Sequence, residues 1–290
     1  AALCAAIARH CGVQPENILC GNGSDENLLL ALRAFCDETH PLAFADITYS
    51  FYPVLCDLLH IPQHVILVEE DFSLDLSKYH GLNETIVIAN PNPPPPLLQP
   101  VAAIEEVVRT NPDSIVIVDE AYIDFAGPNA SCVPLTKKYD NVIVVQTFSK
   151  SHNLAGARVG FCVANPELIA DMNRIKFSYS PYNVNSLSPA VAAMEDENYF
   201  RDTVGKICVT RADTMTKLRE RGFTGPDSAT NFLFVTTSRM PCKQIFERLR
   251  QKGVLIRYFS APRLSDYLRI TIGTPEQMQR FFEELDLILG

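Results

Sequence analysis

Five short runs rich in Val and Ile recur over the first two-thirds of the chain: HVILVEE, TIVIAN, SIVIVDEAY, NVIVVQTFS and ARVGFCVAN. They alternate only weakly between apolar and polar. A strand that is apolar on both faces belongs in a sheet covered by helices on each side. Amphipathic stretches supply that cover: PVAAIEEVVRT, between TIVIAN and SIVIVDEAY, has helical spacing and a helix-compatible start after Pro100. The alternation implies an α/β fold with a mostly parallel central sheet. Around residues 187–220 the pattern changes to long helix. A smaller α+β part follows, with strands near NFLFVTT, VLIRYF and YLRITIG and helices near CKQIFERLRQKG and PEQMQRFFEELDLIL. We therefore expect a large domain over residues 1–195 and a smaller C-terminal domain over 196–290.

Of the 290 residues, 47% are hydrophobic and 20% charged, which suffices for a substantial core. The net charge is −9 and the sequence has no Lys/Arg-rich run, which argues against a nucleic-acid or anionic-membrane partner. No apolar stretch approaches the ~20 residues needed to span a bilayer. The opening AALCAAIARHCGV is apolar and helix-like, without the cationic start of a signal peptide. The nine cysteines are irregularly spaced, odd in number and free of a C-x-x-C pair. Most sit among apolar neighbours, as Cys162 does in VGFCVAN, so they read as small buried hydrophobes in a reducing cytoplasm. The one low-complexity patch is NPNPPPPL, residues 90–97.

Chemistry concentrates in a few segments. In TFSKSHNLAGARVGF, residues 147–161, Lys150 follows a buried strand in a Gly/Ala-containing turn. An amine whose pKa is lowered by burial can form an imine with an aldehyde cofactor. Ser149 and Arg158 flank it and can hold a phosphate, the guanidinium through paired charge-assisted hydrogen bonds. In IVIVDEAYIDF, residues 115–125, Asp119 and Glu120 end an apolar strand. Such acids cap helices or bind metals, but Asp119 facing a pyridine nitrogen would keep it protonated as an electron acceptor. Tyr122 is placed to donate to the phenolate oxygen of such a ring. In CGNGSDENLLLALRAF, residues 20–35, Gly21 and Gly23 permit a tight turn that Ser24 or Asp25 can cap. Free N–H groups at a helix N-terminus suit a phosphate, although the Asp25 carboxylate should then point away. Tyr49 of DITYSFY can stack on a planar ring. In IRYFSAPRLSDYLRITIG, Arg269 lies inside a strand-like run, where a buried cation demands an anionic partner. Each segment alone has an ordinary explanation: a solvated strand end, a helix cap, a core tyrosine or an edge-strand arginine.

Together, GNGSDE, TYSFY, VDEAYIDF, TFSKSHNLAGARVGF, SPYNVNSLS and YLRITIG resemble, in order and across nearly the whole chain, the motifs of fold-type I pyridoxal-phosphate (PLP) aminotransferases. More narrowly they resemble the histidinol-phosphate aminotransferase subfamily. The motifs are specific for the family and less so for the substrate. The resemblance implies an aspartate-aminotransferase-like large domain and PLP as cofactor, without a metal. Lys150 would be the Schiff-base lysine and proton shuttle, Asp119 the partner of the pyridine nitrogen and Tyr122 that of the ring oxygen. Gly23, Ser24, Ser149 and Arg158 would contact the phosphate, Asp25 and Thr147 would also belong to the cofactor site, and Tyr49 would stack on the ring. Arg269 matches the arginine that grips the carboxylate of glutamate, and Arg257 a second substrate-facing arginine associated with the phosphate of histidinol phosphate. The implied reaction converts histidinol phosphate and 2-oxoglutarate to imidazole acetol phosphate and glutamate in a cytoplasmic homodimer. Threonine-phosphate decarboxylation, aromatic transamination and a catalytically silent binding protein are the alternatives. Two features depart from the family pattern. The family's NPNNPTG-like segment is here Asn90, Pro91, Asn92 and four prolines, so Pro93 replaces the asparagine that assists the ring oxygen and Asn92 is its nearest substitute. The family also carries an NENPYG-like segment and a tyrosine lent to the partner subunit, neither of which is in this sequence. The expectation is either part of a longer chain or, for a whole protein, a substrate site that lacks one wall.

Overall fold

The computed structural model describes residues 1–176 and 184–290; positions 180–183, the start of SPYNVNSLS, lie outside the described residues. The larger sheet contains β1 (Ile18–Gly21), β2 (Leu42–Ala45), β3 (Gln63–Ile66), β4 (Thr85–Ala89), β5 (Val116–Asp119), β6 (Val142–Thr147) and β7 (Gly160–Ala164). Their spatial order is β1-β7-β6-β5-β4-β2-β3. The pairs from β6 across to β3 are parallel, while β7 runs antiparallel to both β6 and β1. This is the mostly parallel sheet that the Val/Ile runs predict, and those runs form β3 to β7. The sequence reading missed β1 and β2, whose four-residue segments ILCG and LAFA are too short to show a period.

Side chains alternate across the sheet, as the strand geometry requires. Val116, Val118, Val142 and Val144 enter one apolar layer with α1 (Ala2–Cys11), and Ile117, Ile143 and Val145 enter the other with α2 (Ser24–Phe35). α3 (Phe51–Leu59) and α5 (Pro166–Ile175) join the layer of α2, whereas α4 (Val101–Thr110) and α6 (Val184–Glu195) join that of α1. The first run differs from expectation. Its strand β3 is the outermost, so Val65 and the following Leu67 are 46% and 65% exposed rather than buried on both faces.

The predicted long helix is two. Asp196 accepts from the Tyr199 N–H and caps α7 (Glu197–Glu220), which breaks the run after α6. There follow β8 (Phe223–Thr224), β9 (Phe232–Thr237), α8 (Cys242–Gln251), β10 (Arg257–Tyr258), β11 (Leu268–Thr271) and α9 (Pro275–Leu289). The four strands form an antiparallel sheet ordered β10-β11-β9-β8, with its own core around Leu218, Leu249, Leu268 and Phe281. A fourth apolar group joins the two sheets: Ala45, Ile47, Val68 and Phe72 meet Phe234 and Leu264. Phe234 stacks on Tyr267 with centroids 4.5 Å apart, and Phe72 stands edge-on to both rings at 5.6 and 5.1 Å. The parallel strands thus end beside the smaller sheet, the place where open α/β sheets bind their ligands.

Candidate active site

Asp119 is the last residue of β5, and burial pushes its carboxyl up to about 6. Two donors oppose that shift: the Tyr52 hydroxyl at 2.7 Å from Oδ2 and the Ala121 N–H at 3.2 Å from Oδ1. Lys150 follows β6 after a tight turn closed by the Leu154 N–H on the Phe148 carbonyl at 3.0 Å. Its Nζ sits 5.4 Å from the centre of the Tyr122 ring. Burial lowers the Lys150 pKa, and the Arg269 charge lowers it further. Tyr122 in turn packs edge-on against Phe232 at 5.3 Å, and burial raises its hydroxyl pKa. An amine with a lowered pKa, a buried acid and a phenol therefore face one space.

The far end of that space is built for an anion. Gly23 begins α2 with φ +78°, a conformation only glycine takes without strain. A Cβ on Gly23 would lie 2.6 Å from Arg158 Nη2, so the guanidinium rests directly on this turn. Thr147 Oγ1 donates to Ser149 Oγ at 3.1 Å and accepts from the Ser149 N–H at 3.2 Å. Asp25, expected to point away from a phosphate, has two partners in the fold. It accepts from Tyr49 Oη at 3.0 Å and pairs with Arg158 Nη2 at 3.2 Å, because Arg158, itself at φ +52°, turns its side chain back over the start of α2.

Ser24, Asp25, Tyr49, Asp119, Tyr122, Thr147, Ser149, Lys150 and Arg158 all line one cavity, with Gly23 beneath Arg158. An adjoining cavity shares Tyr49, Pro93, Tyr122 and Lys150 with the first and extends to Arg257 and Arg269. These two arginines are direct cross-strand partners on β10 and β11. Their Cζ atoms lie 5.3 and 5.6 Å from the Phe259 ring centre. Among the described residues no carboxylate pairs with either, and the buried Nε of Arg269 has no hydrogen-bond partner. Arg257 is exposed, whereas Arg269 is half-buried, so its unpartnered guanidinium is the one that asks for an anion from outside the chain.

Asn92 does not take the cofactor-facing place suggested for it. Its Nδ2 donates to the Ile47 carbonyl at 2.8 Å, and its Oδ1 accepts from Thr48 Oγ1 at 2.6 Å. Both ends of the amide thus tie the proline loop to the segment just after β2. Pro93 lines both cavities in its stead, offering apolar surface and no donor. Sequence reasoning missed Tyr52. The available signal was its nearness to Tyr49: Tyr52 lies in the first turn of α3 and Tyr49 just before that helix's cap, with the two rings 5.6 Å apart.

Gly160 makes a further demand. A Cβ there would meet the Gly23 carbonyl carbon and the Ser24 nitrogen at 2.4 Å. Gly160→Ala is therefore expected to push α2 away from β7 and cost about 1–3 kcal/mol by overpacking. The fall should appear as a lower melting temperature together with weaker binding of a phosphate-bearing ligand; unchanged melting would contradict the close approach.

The family model for aminotransferase classes I and II matches residues 1–285. Histidinol-phosphate aminotransferase of Brachyspira hyodysenteriae is 43% identical over 285 residues, spanning 98% of this chain and 80% of the relative. The enzyme of the same name from Lactococcus lactis subsp. cremoris is 42% identical over 97% of this chain and 79% of its own length. Among solved structures, histidinol-phosphate aminotransferase from Sinorhizobium meliloti in complex with pyridoxal-5'-phosphate superposes with TM-score 0.90 at 24% identity, covering 99% of this chain and 80% of that one.

Proposed function

The chain belongs to the class I and II aminotransferases, and from that premise we propose that it moves an amino group from histidinol phosphate to 2-oxoglutarate with PLP as cofactor. The observation that carries the substrate reading is Arg269, a half-buried cation close enough to Lys150 to lower its pKa, whose buried Nε has no partner among the described residues, with the exposed Arg257 as its cross-strand neighbour. Histidinol phosphate presents a phosphate, and 2-oxoglutarate presents two carboxylates. Both meet the same electrostatic need.

The residues present fit PLP. The glycine cradle at Gly23, with Ser24, Ser149 and Arg158 around it, would hold the phosphate. Lys150 would attach the cofactor as a Schiff base, Tyr49 would pack on the ring and Tyr122 would donate to its oxygen. Asp119 would hold a proton on the pyridine nitrogen. When bound, PLP supplies an electron sink for the charge that develops on the substrate α-carbon. Lys150 Nζ, freed by the incoming amine, would take the α-proton and return it one carbon away. Its lowered pKa suits that role, because a neutral amine is the base. Arg269 would orient the carboxylate of the oxo acid, and Arg257 the phosphate of the donor. We further propose a cytoplasmic homodimer. Five of the nine cysteines are buried as small hydrophobes, and no described helix is long and apolar enough to cross a membrane.

Two assays test this. The chain is incubated with PLP, reduced with borohydride and mapped by peptide mass, which should place the pyridoxyl group on Lys150. Turnover is then compared for histidinol phosphate, threonine phosphate and phenylalanine; release of CO2 from threonine phosphate as the fastest reaction would overturn the transamination reading. Arg269→Lys keeps the charge and loses the planar fork, so the KM for 2-oxoglutarate should rise about ten- to a hundred-fold while cofactor absorption is unchanged.

A further inference from the structure

Asp119 is held from behind by a residue outside every motif role assigned above. Tyr52 is wholly buried, and its hydroxyl donates to Asp119 Oδ2 at 2.7 Å across 67 residues of sequence. The ring cannot swing away: Tyr49 stands edge-on to it at 5.6 Å and Phe44 at 6.2 Å. The second carboxylate oxygen is fixed by the Ala121 N–H at 3.2 Å.

We propose that Tyr52 is a positioning residue that orients the Asp119 carboxylate and keeps it ionised at the pH of turnover. The inference rests on the assignment of Asp119 to the cofactor's ring nitrogen. Burial favours the neutral acid, and a neutral acid cannot hold a pyridinium proton by charge. A hydrogen bond to the carboxylate stabilises the charged form and opposes burial. Burial also raises the Tyr52 hydroxyl well above its usual range, so it donates without surrendering its proton. The other ionisable groups facing Asp119 are few. Asp25, at the start of α2, pushes the carboxyl up, and Lys150, after β6, pulls it down. Tyr49 and Tyr122 are phenols whose own pKa values Asp119 raises. Among these groups Tyr52 bonds the carboxylate directly.

The test uses the full chain loaded with PLP. Tyr52→Phe removes one hydrogen bond to a charged group, so the acid limb of kcat should move upward by about one pH unit. KM for the amino donor should change less than about two-fold, because Tyr52 itself lines neither the cavity around Lys150 nor the adjoining one. PLP affinity supplies a second readout. Tyr52→Phe should weaken it about ten-fold in the parent and hardly at all in Asp119→Asn, because the two residues act as one unit. An unmoved acid limb, or equal loss in both backgrounds, overturns the role. Should the phenylalanine variant fold poorly, 3-fluorotyrosine placed at position 52 keeps the ring and strengthens the donor, and the limb should then move downward. If the unaltered chain gives no borohydride-fixed adduct on Lys150, the aminotransferase reading and this one fall together. An adduct with an unmoved limb removes Tyr52 alone.

Discussion

Lys150→Ala leaves a chain that no longer carries a pyridoxyl group after borohydride reduction and whose turnover is lower by ~10⁴-fold, the upper range for loss of a general acid–base group. The effect should be the largest available from one substitution, because a single nitrogen would both anchor the cofactor and carry the proton. The fold should survive. Lys150 lies in a turn after β6 whose backbone bonds, Leu154 N–H to Phe148 and Asn153 N–H to Lys150, do not use the side chain. PLP should still enter through its phosphate, held at Gly23, Ser24 and Arg158. The measurement is therefore sharp: cofactor bound, adduct absent, turnover gone. Persistence of the adduct on another lysine would displace Lys150 from the reaction.

Asp119→Asn should lower kcat by about 10²–10³-fold, the usual loss when one preorganised electrostatic partner is removed. The amide fits the same pocket. Its oxygen can accept from Ala121 N–H, and Tyr52, a phenol able to accept as well as donate, can turn to meet its nitrogen. Stability without the cofactor should move in the opposite direction to activity. The folded Asp119 carboxyl titrates at about 6 against 3.8 for the unperturbed group, so the folded chain binds the extra proton in that interval. The associated stability is full below the unfolded value and lost as pH rises through the folded one. At pH 8 the unaltered chain bears a buried charge that the asparagine variant lacks, a difference of about 3 kcal/mol. Melting curves of the apo chains should show the variant higher at pH 8 and the gap closing toward pH 4. Parallel curves across that range would mean that Asp119 is not buried as described.

The sequence is informative where chemistry is contiguous and silent where it depends on tertiary contact. Lys150 with Ser149 and Arg158, and Asp119 with Tyr122, lie within single turns after strands, so residue type and spacing identify them. The parallel sheet is legible for a related reason: β4 to β6 are apolar on both faces, which only a doubly covered sheet explains. β3 carries the same composition but sits at the edge, and nothing local distinguishes an edge from a centre. Asn92 appears beside the ring only if the proline loop is placed as in relatives. Its actual partners, Ile47 and Thr48, are 45 and 44 residues away. Tyr52 is hidden for the same reason, its acid being 67 residues distant. The pairing of Asp25 with Arg158 is equally hidden, because the two lie 133 residues apart.

The aromatic seam between the sheets has a consequence for selectivity. Arg269 is two residues beyond Tyr267, whose ring lies flat on Phe234, with Phe72 wedged against both. Phe234 is also the cross-strand partner of Arg269, so these rings support the strand that carries its guanidinium. If Arg269 holds the oxo acid as proposed, exchanging one aromatic for another should change which acids are accepted while leaving the residues around Lys150 untouched.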